Sequence, residues 1–515
     1  FNDRSYVASR VESRAVGKAG GVDISTQSLE LLGGSFFDAS TFGEGDAGSV
    51  KITTTGSVKF DGNSSAGSQV RLGAVGKAGG VDISTQSLEL LGRSFLSAST
   101  FGEGDAGSVK ITTTGSVKFD GNSFAASQVR LGAVGKAGGV DISTQSLELL
   151  GGSFFDASTF GEGDAGSVTI NANTFKASNG SKLVSRTSSE FPAGNIILKV
   201  KENITLSGSD TGIFANTTEG STGQGGSIII DPRTFIIRDG ATISANSQGE
   251  GIGGDIELAA GFLTLDNGTI SAQTRSNTGG NITLNLQDLL LLRNGSQITT
   301  TAGNQEFGGD GGNIIINSPF IVAVPKENSD ITANAFSGYG GNINIFTQGI
   351  FGIEFQARPT QQSGITASSE LGISGNVAIN TPEVDPAKGL VELPSNLVDP
   401  SGQIDNSCRP GSTQSHSSFV ATGRGGLPSS ATEPLQDTST LAQWVKPRTT
   451  PQNSVKVETE PQAPTATTNS PVSSPTIVEA SGWVVDANAN IHLVAQAPPV
   501  NPSSPWQTSA SCPVR

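Results

Sequence analysis

The chain has 515 residues, a formal net charge of −15, 15% charged residues and 6% aromatic residues. This acidic balance, without a cluster of Lys and Arg, argues against nucleic-acid binding, which needs a basic surface. No apolar run approaches the roughly 18 residues of a membrane-spanning helix, so we expect no transmembrane segment.

One pattern recurs along the first three quarters of the chain. Each unit has a Gly or Ala-Gly pair, a small polar residue, two apolar-x-apolar strands, a Gly turn and a third strand. The first apolar residues of the units lie 26 to 34 residues apart, most often 28. They are Val22, Val50, Val81, Val109, Val140, Val168, Ile196, Ile228, Ile256, Ile282, Ile314, Ile343 and Val377. Short β segments at this period predict a stacked solenoid.

A closer internal copy lies in the first third of the chain. Residues 16–74 recur as residues 75–133, and the pattern begins again at Val134, so that each 59-residue block holds two coils. Only five positions differ: Gly34/Arg93, Phe37/Leu96, Asp38/Ser97, Ser65/Phe124 and Gly67/Ala126. The chain begins in mid-coil and contains no Met, so we expect it to be the C-terminal portion of a longer protein whose secretion signal lies elsewhere.

Alternating apolar and charged residues predict three short, half-buried strands in each coil. Val22 and Ile24 alternate with Asp23, and Leu29 and Leu31 flank Glu30. Residues two apart share one face of a strand, and stacking of successive coils would bury the apolar face. We therefore predict an all-β fold, a parallel β-helix of about 13 coils over residues 1–383, with the double-coil repeats in residues 16–167.

Superposition of the coils predicts two columns of equivalent residues. The inward column of the third strand would contain Tyr6, Phe37, Ser65, Leu96, Phe124, Phe155, Leu183, Ile243 and Ile270. Because Ser65 interrupts this column, Ser65→Phe is expected to fill a void and to stabilise the fold on the ~1 to 3 kcal/mol scale of burying such a side chain.

A second column of small polar residues, before the first strand, is expected to form hydrogen bonds along the solenoid axis. It contains Gly21, Ser49, Gly80, Ser108, Gly139, Ser167, Asn195, Ser227, Asp255, Asn281, Asn313, Asn342 and Asn376.

The segment GEGDAG, at residues 43–48, 102–107 and 161–166, matches G-x-G-x-x-G. A dinucleotide site needs this loop between a strand and a helix, whereas here it precedes a strand, so we interpret it as a turn. Asp46, Asp105 and Asp164 sit in these corners once per 59 residues. Shared calcium sites need much closer spacing, which leaves adventitious surface calcium as the open alternative.

An enzyme is the less favoured interpretation. Glycoside hydrolysis needs two acids held in a cleft, but the outward acids of the first strands form a repeating row with bases: Asp23, Lys51, Asp82, Lys110 and Asp141. The two histidines, His416 and His492, lie beyond the repeats. We therefore predict no catalytic, cofactor-binding or metal site, with a β-helical polysaccharide lyase or hydrolase as the alternative.

The composition changes after the repeats. Residues 384–478 are rich in Pro, Ser and Thr and are expected to form a largely disordered linker. Residues 479–515 contain a hairpin-like alternation of Trp483, Val485, Ile491 and Leu493. Cys408 and Cys512 lie in this C-terminal region, and either a disulfide or two free thiols fits them.

The chain resembles the filamentous-haemagglutinin-like large exoproteins of the two-partner secretion type, particularly the cyanobacterial versions. The resemblance rests on the repeat style, on Cys408, on TGRGGLP at residues 422–428 and on a GWV-x-D-x-N-G-x-(I/V)-x-L-V-A motif at residues 482–495, with Ala489 where the family more often has Gly. It implies a right-handed parallel β-helix exported through an outer-membrane β-barrel transporter. It also implies a secreted or cell-surface role in adhesion, with a cell-surface or matrix ligand that the sequence does not identify. A purely structural spacer is a further alternative.

Overall fold

The computed structural model describes residues 1–381 and two short strands, Gly482–Val485 and Ile491–Val494. Residues 1–381 form a parallel β-solenoid of about 12 turns, which confirms the predicted fold class. Thirteen first strands delimit these turns, one at each predicted position. The predicted linker, residues 422–428, Cys408 and Cys512 lie outside the described residues.

Two parallel sheets form the wall of the solenoid. A 21-stranded sheet contains the first and second strands of every coil, and a 14-stranded sheet contains the third strands. Each strand pairs with the equivalent strands of the coils before and after it, because one coil alone cannot bury its apolar face. Among residues 1–381, the helical element is one turn of 3₁₀ helix, Pro325–Glu327.

The strand bounds follow the repeat. Separate first strands are Val22–Thr26, Val50–Thr54, Val81–Thr85, Val109–Thr113, Val140–Ser143, Ile228–Asp231, Ile314–Asn317, Ile343–Phe346 and Val377–Asn380. Separate second strands are Leu29–Leu31, Ser57–Phe60, Ser87–Leu90, Ser116–Phe119, Ser146–Leu149, Thr234–Arg238, Phe320–Ala323 and Gly349–Phe351. In four coils the first and second strands are continuous: Val168–Ser178, Ile196–Ser207, Ile256–Asp266 and Ile282–Arg293. The third strands are Tyr6–Ala8, Phe36–Asp38, Ser65–Gly67, Phe95–Ser97, Phe124–Ala126, Phe154–Asp156, Lys182–Val184, Gly212–Phe214, Thr242–Ser244, Thr269–Ser271, Gln297–Thr299, Asp330–Thr332 and Gly364–Thr366, with Glu354–Phe355 at the edge.

Large and small side chains are matched across the interior. Phe60 lies in the coil whose third strand supplies Ala66, and Phe119 in the coil that supplies Ala125, and all four side chains are fully buried. Phe119 meets Phe155 of the neighbouring coil edge to face, with ring centroids 4.9 Å apart at 83°. Close packing of this kind leaves no space for an additional large side chain inside these coils.

The predicted inward column of the third strand is wrong at three positions. Tyr6, Ser65 and Phe124 pair in register with the outward residues Phe36, Phe95 and Phe154 of neighbouring coils. The inward residues of the same three strands are Val7, Ala66 and Ala125. Two adjacent residues of these short strands are apolar or small, so alternation alone does not decide which one is buried. Ser65 leaves no interior void, and interior filling by Ser65→Phe is therefore ruled out.

The predicted small polar column forms a bonded ladder in the later coils. The backbone N–H and side-chain Nδ2 of Asn281 donate to Asp255 Oδ1 at 2.9 and 3.0 Å. Asn313 makes the same two bonds to Asn281 Oδ1, at 3.2 and 3.1 Å, and Asn342 makes them to Asn313 Oδ1, at 3.2 and 3.1 Å. Each amide thus joins its own coil to the preceding one, as predicted.

The two C-terminal strands form an antiparallel pair. Trp483 lies opposite Leu493, and Val485 lies opposite Ile491. The antiparallel pairing of these two strands agrees with the alternation of Trp483, Val485, Ile491 and Leu493.

Candidate functional site

The outward side chains of the first six third strands form an aromatic column. In order along the axis they are Tyr6, Phe36, Ser65, Phe95, Phe124 and Phe154. Tyr6 stacks on Phe36 at 5.2 Å, Phe95 on Phe124 at 5.1 Å and Phe124 on Phe154 at 4.9 Å, with interplanar angles of 5° to 7°. The next residues of the column are Lys182, Gly212 and Thr242, so the aromatic part is confined to the near-identical repeats.

A second column runs beside the first, after the following corner. It alternates aromatic and basic residues: Phe42, Arg71, Phe101, Arg130 and Phe160. The Arg71 guanidinium lies 5.4 Å from the ring centroid of Phe42, and that of Arg130 lies 5.6 Å from Phe101. Arg10 lies 5.6 Å from the Phe36 ring and 5.7 Å from the Phe42 ring, so it connects the two columns. We refer to both columns together as the aromatic face.

Buried polar groups lie between the two columns. The Asp38 carboxylate is 6% exposed and accepts hydrogen bonds from Arg10 Nε at 2.6 Å and from the Ser40 N–H at 2.9 Å. Four coils further on, at the equivalent position, burial raises the pKa of Asp156, although Ser158 and Gln128 donate hydrogen bonds to its carboxylate. The aromatic face therefore combines half-buried rings with hydrogen-bonding groups that are held in place.

A groove follows the bend between the first and second strands of seven successive coils. Its volume is about 1100 Å³, and its lining runs from Thr113 to Gln287. Three cations line it, Lys199, Lys201 and Arg233, together with amide side chains and a single carboxylate, Asp231. We call it the corner groove.

A smaller cavity of about 340 Å³ surrounds Arg275. The Arg275 guanidinium donates a hydrogen bond to the Glu219 carboxylate at 2.6 Å and lies 4.4 Å from the centroid of the Phe307 ring.

The predicted row of outward charges on the first strands is confirmed in register. Asp23 lies beside Lys51, Lys51 beside Asp82, Asp82 beside Lys110 and Lys110 beside Asp141. A second alternating row, on the second strands, was not predicted: Glu30, Lys59, Glu89, Lys118, Glu148 and Lys176. The same environment repeats from coil to coil in both rows, so neither singles out a pair of unlike acids for catalysis.

The acids of the Gly-rich corners are paired with lysines of the preceding coil. Lys18 Nζ lies 2.8 Å from Asp46 Oδ2, and the Lys77–Asp105 and Lys136–Asp164 pairs are each 2.9 Å long. The hydrogen bond from Lys18 lowers the pKa of Asp46. These corners precede strands, as the turn interpretation predicted. Within the part of the chain that the structure describes, no group of three or more His, Cys, Asp or Glu side chains is placed to hold a metal ion.

No protein family, curated protein or solved structure matches this chain. None of the described helices has the length and hydropathy to cross a bilayer. His416 lies outside the described residues, and His492 lies on the strand Ile491–Val494.

The aromatic face is the functional candidate that the sequence reasoning missed, because Tyr6 and Phe124 were assigned to the interior. The adjacent pair Phe36-Phe37 contains the signal that would have shown it, since neighbouring strand residues point to opposite faces.

Proposed function

We propose that this protein is a secreted or cell-surface exoprotein of the adhesin type, whose aromatic face contacts polysaccharide or matrix. The observation that carries the proposal is that outward aromatic rings and arginines recur on one face through six coils. Outward apolar groups in a continuous patch mark interaction sites more often than chance exposure does. A periodic face also engages a polymeric ligand at several points, so that avidity exceeds the affinity of any single contact.

Export through an outer-membrane β-barrel transporter is part of this proposal. The terminal motifs that resemble the two-partner secretion exoproteins support it, as does the architecture, because each emerging coil can stack on the coil before it. Protease treatment of intact cells that express the complete protein would test the location. Degradation of the solenoid without lysis supports an outer-surface location, and protection until lysis contradicts it.

Binding of the full chain to intact cells and to purified cell-surface polysaccharide tests the role of the aromatic face. The double variant Arg130→Ala/Phe154→Ser removes one arginine and one stacked ring from that face. The matched control, Lys51→Ala/Lys110→Ala, removes two equally outward cations from the row on the first strands. Loss of binding in the first variant alone supports the proposal, and equal binding by both variants and the unaltered chain refutes it.

A second candidate function is that of a polysaccharide lyase, which the corner groove favours. Elimination from a uronate polymer needs a base to remove the ring proton and a cation beside the carboxylate, and Lys199, Lys201 and Arg233 supply cationic groups there. Incubation with polygalacturonate and alginate would reveal unsaturated products by ultraviolet absorbance. Product formation that Arg233→Ala abolishes would rank the enzyme first.

A further inference from the structure

The two near-identical blocks differ in one part of the coil only. Of their five differences, four lie on the third strands Phe36–Asp38 and Ser65–Gly67 and their counterparts, and the fifth, Gly34/Arg93, lies in the turn just before. The first and second strands of the two blocks are identical in sequence. Variation between the copies is therefore concentrated on the wall that carries the aromatic column.

Two of these differences make the outward side chains of one third strand, Ser65–Gly67, smaller than those of its counterpart in the second block. Ser65 and Gly67 stand where the sister strand has Phe124 and Ala126. Phe36 and Phe95 lie in register on either side of Ser65, so the aromatic column is interrupted for one coil. We call the space above Ser65 and Gly67, between the side chains of Phe36 and Phe95, the Ser65 notch.

The sister repeat shows what size of group fits the Ser65 notch. There the Phe124 ring lies between Phe95 and Phe154, with centroids 5.1 and 4.9 Å away and nearly parallel planes. Because the coils stack at a constant spacing, the distance from Phe36 to Phe95 leaves room for one ring of similar thickness. The ring faces that border this space are apolar.

Polar groups border the same space. Asp38 follows Phe36 on its strand, and Gln69, itself 6% exposed, donates from its amide to Ser97 Oγ. On the same coil the Arg71 guanidinium packs on Phe42, and its buried Nε has no hydrogen-bond partner among the described residues. The equivalent Arg130 of the sister repeat is exposed and bonds to Gln128 Oε1 at 2.7 Å.

We propose that the Ser65 notch binds one pyranose ring of a polysaccharide, held between Phe36 and Phe95. A pyranose has two apolar C–H faces and a rim of hydroxyl groups, which matches two ring faces with Asp38, Gln69 and Arg71 nearby. A phenylalanine ring would fill the same width but has no hydroxyl groups to bond to these polar side chains. This inference rests on the proposed function, because the notch lies on the aromatic face.

Two variants of the full chain test the notch in opposite directions. Ser65→Phe fills it, as Phe124 does in the sister repeat, and is expected to weaken binding by at least about tenfold. Phe124→Ser with Ala126→Gly opens a second notch and is expected to raise the number of ring sites from one to two. The probes are hexasaccharides of glucose, galactose, mannose and galacturonate, measured by calorimetry, with circular dichroism as the check on folding.

The outcomes separate this inference from the proposed function. Unchanged affinity in folded Ser65→Phe, with no added site in Phe124→Ser/Ala126→Gly, overturns the notch alone if the unaltered chain still binds cells and polysaccharide. If Ser65→Phe does not fold, the site count of Phe124→Ser/Ala126→Gly decides. Binding of N-acetylphenylalanine amide in place of the hexasaccharides also overturns it, because the occupant would then be a protein side chain. Absence of all binding to cells and polysaccharide overturns the proposed function as well.

Discussion

Adjacent residues of one strand, Ser65 and Ala66, point to opposite sides of the wall and should respond oppositely to the same substitution. Ser65→Phe would join the two parts of the aromatic column, and an added aromatic pair contributes about 0.5 to 1.5 kcal/mol. Ala66→Phe would overpack a core that Phe60 already fills, at a cost of about 1 to 3 kcal/mol. Thermal unfolding of the two variants measures the contrast. If Ala66→Phe is the more stable, the register described here is wrong.

A second single-residue effect concerns the amide ladder. Asn313 both donates to Asn281 and accepts two bonds from Asn342, so Asn313→Ala removes contacts to both neighbouring coils. The substitution removes three exposed side-chain hydrogen bonds, and we expect a loss of about 1 to 2 kcal/mol, near the lower end of their net contributions. Hydrogen exchange of the Asn342 N–H should become faster, with Asn344→Ala, an outward residue outside the ladder, as the control. Equal exchange rates in both variants would contradict the ladder's role.

At the scale of the element, strand alternation predicted some faces correctly and others not. Within residues 16–167 the first and second strands carry Asp, Lys or Glu between two apolar residues, so only one face can be buried, and their register agrees with the structure. The third strands have three residues, and sets such as Phe36-Phe37 or Phe124-Ala125 contain two candidates for the interior. Their orientation depends on side chains across the core, Phe60 and Phe119, which a single strand does not reveal. The pair Phe36-Phe37 places one ring outward in either register, but which residue of Phe124-Ala125 is outward could not be predicted without that information.

The helical turn Pro325–Glu327 is held to its neighbouring coil by an ion pair. Arg293 Nε and an Nη donate to the two carboxylate oxygens of Glu327 at 2.8 Å, and the Asn294 N–H donates to Oε2 at 2.9 Å. The hydrogen bond from Arg293, followed by that from Asn294, lowers the pKa of Glu327 from its ordinary value of 4.5 to about 2.

Glu327 should therefore make the attachment of this turn dependent on pH. A carboxylate whose pKa is lowered by folding stabilises the folded state fully above its unfolded pKa, and this contribution is lost as pH falls through the folded value. The expected window runs from 4.5 down to about 2. The protection of the Asn294 N–H against hydrogen exchange, taken relative to an unfolded chain at the same pH, should fall in that window, and Glu327→Gln should remove the dependence. A profile unchanged by Glu327→Gln would show that another group is responsible.

At the scale of the whole solenoid, stability is shared between neighbouring coils, because each strand pairs only with equivalent strands before and after it. Deletion of residues 75–133 removes two complete coils and joins Ala74 to Val134, which recreates the Ala133-Val134 junction already present in the chain. We expect the shortened protein to fold, with unchanged β content per residue in circular dichroism. The variant that lacks residues 75–119 should not fold properly, because this deletion joins a corner to the turn after a second strand and displaces every later inward column.

If both shortened proteins fold equally well, coil register does not govern this architecture. If neither folds, the blocks are coupled beyond their nearest neighbours. If the first variant also keeps full binding to cells, the aromatic residues Phe95 and Phe124 are dispensable, which would favour the spacer interpretation of the repeats over the adhesin proposal.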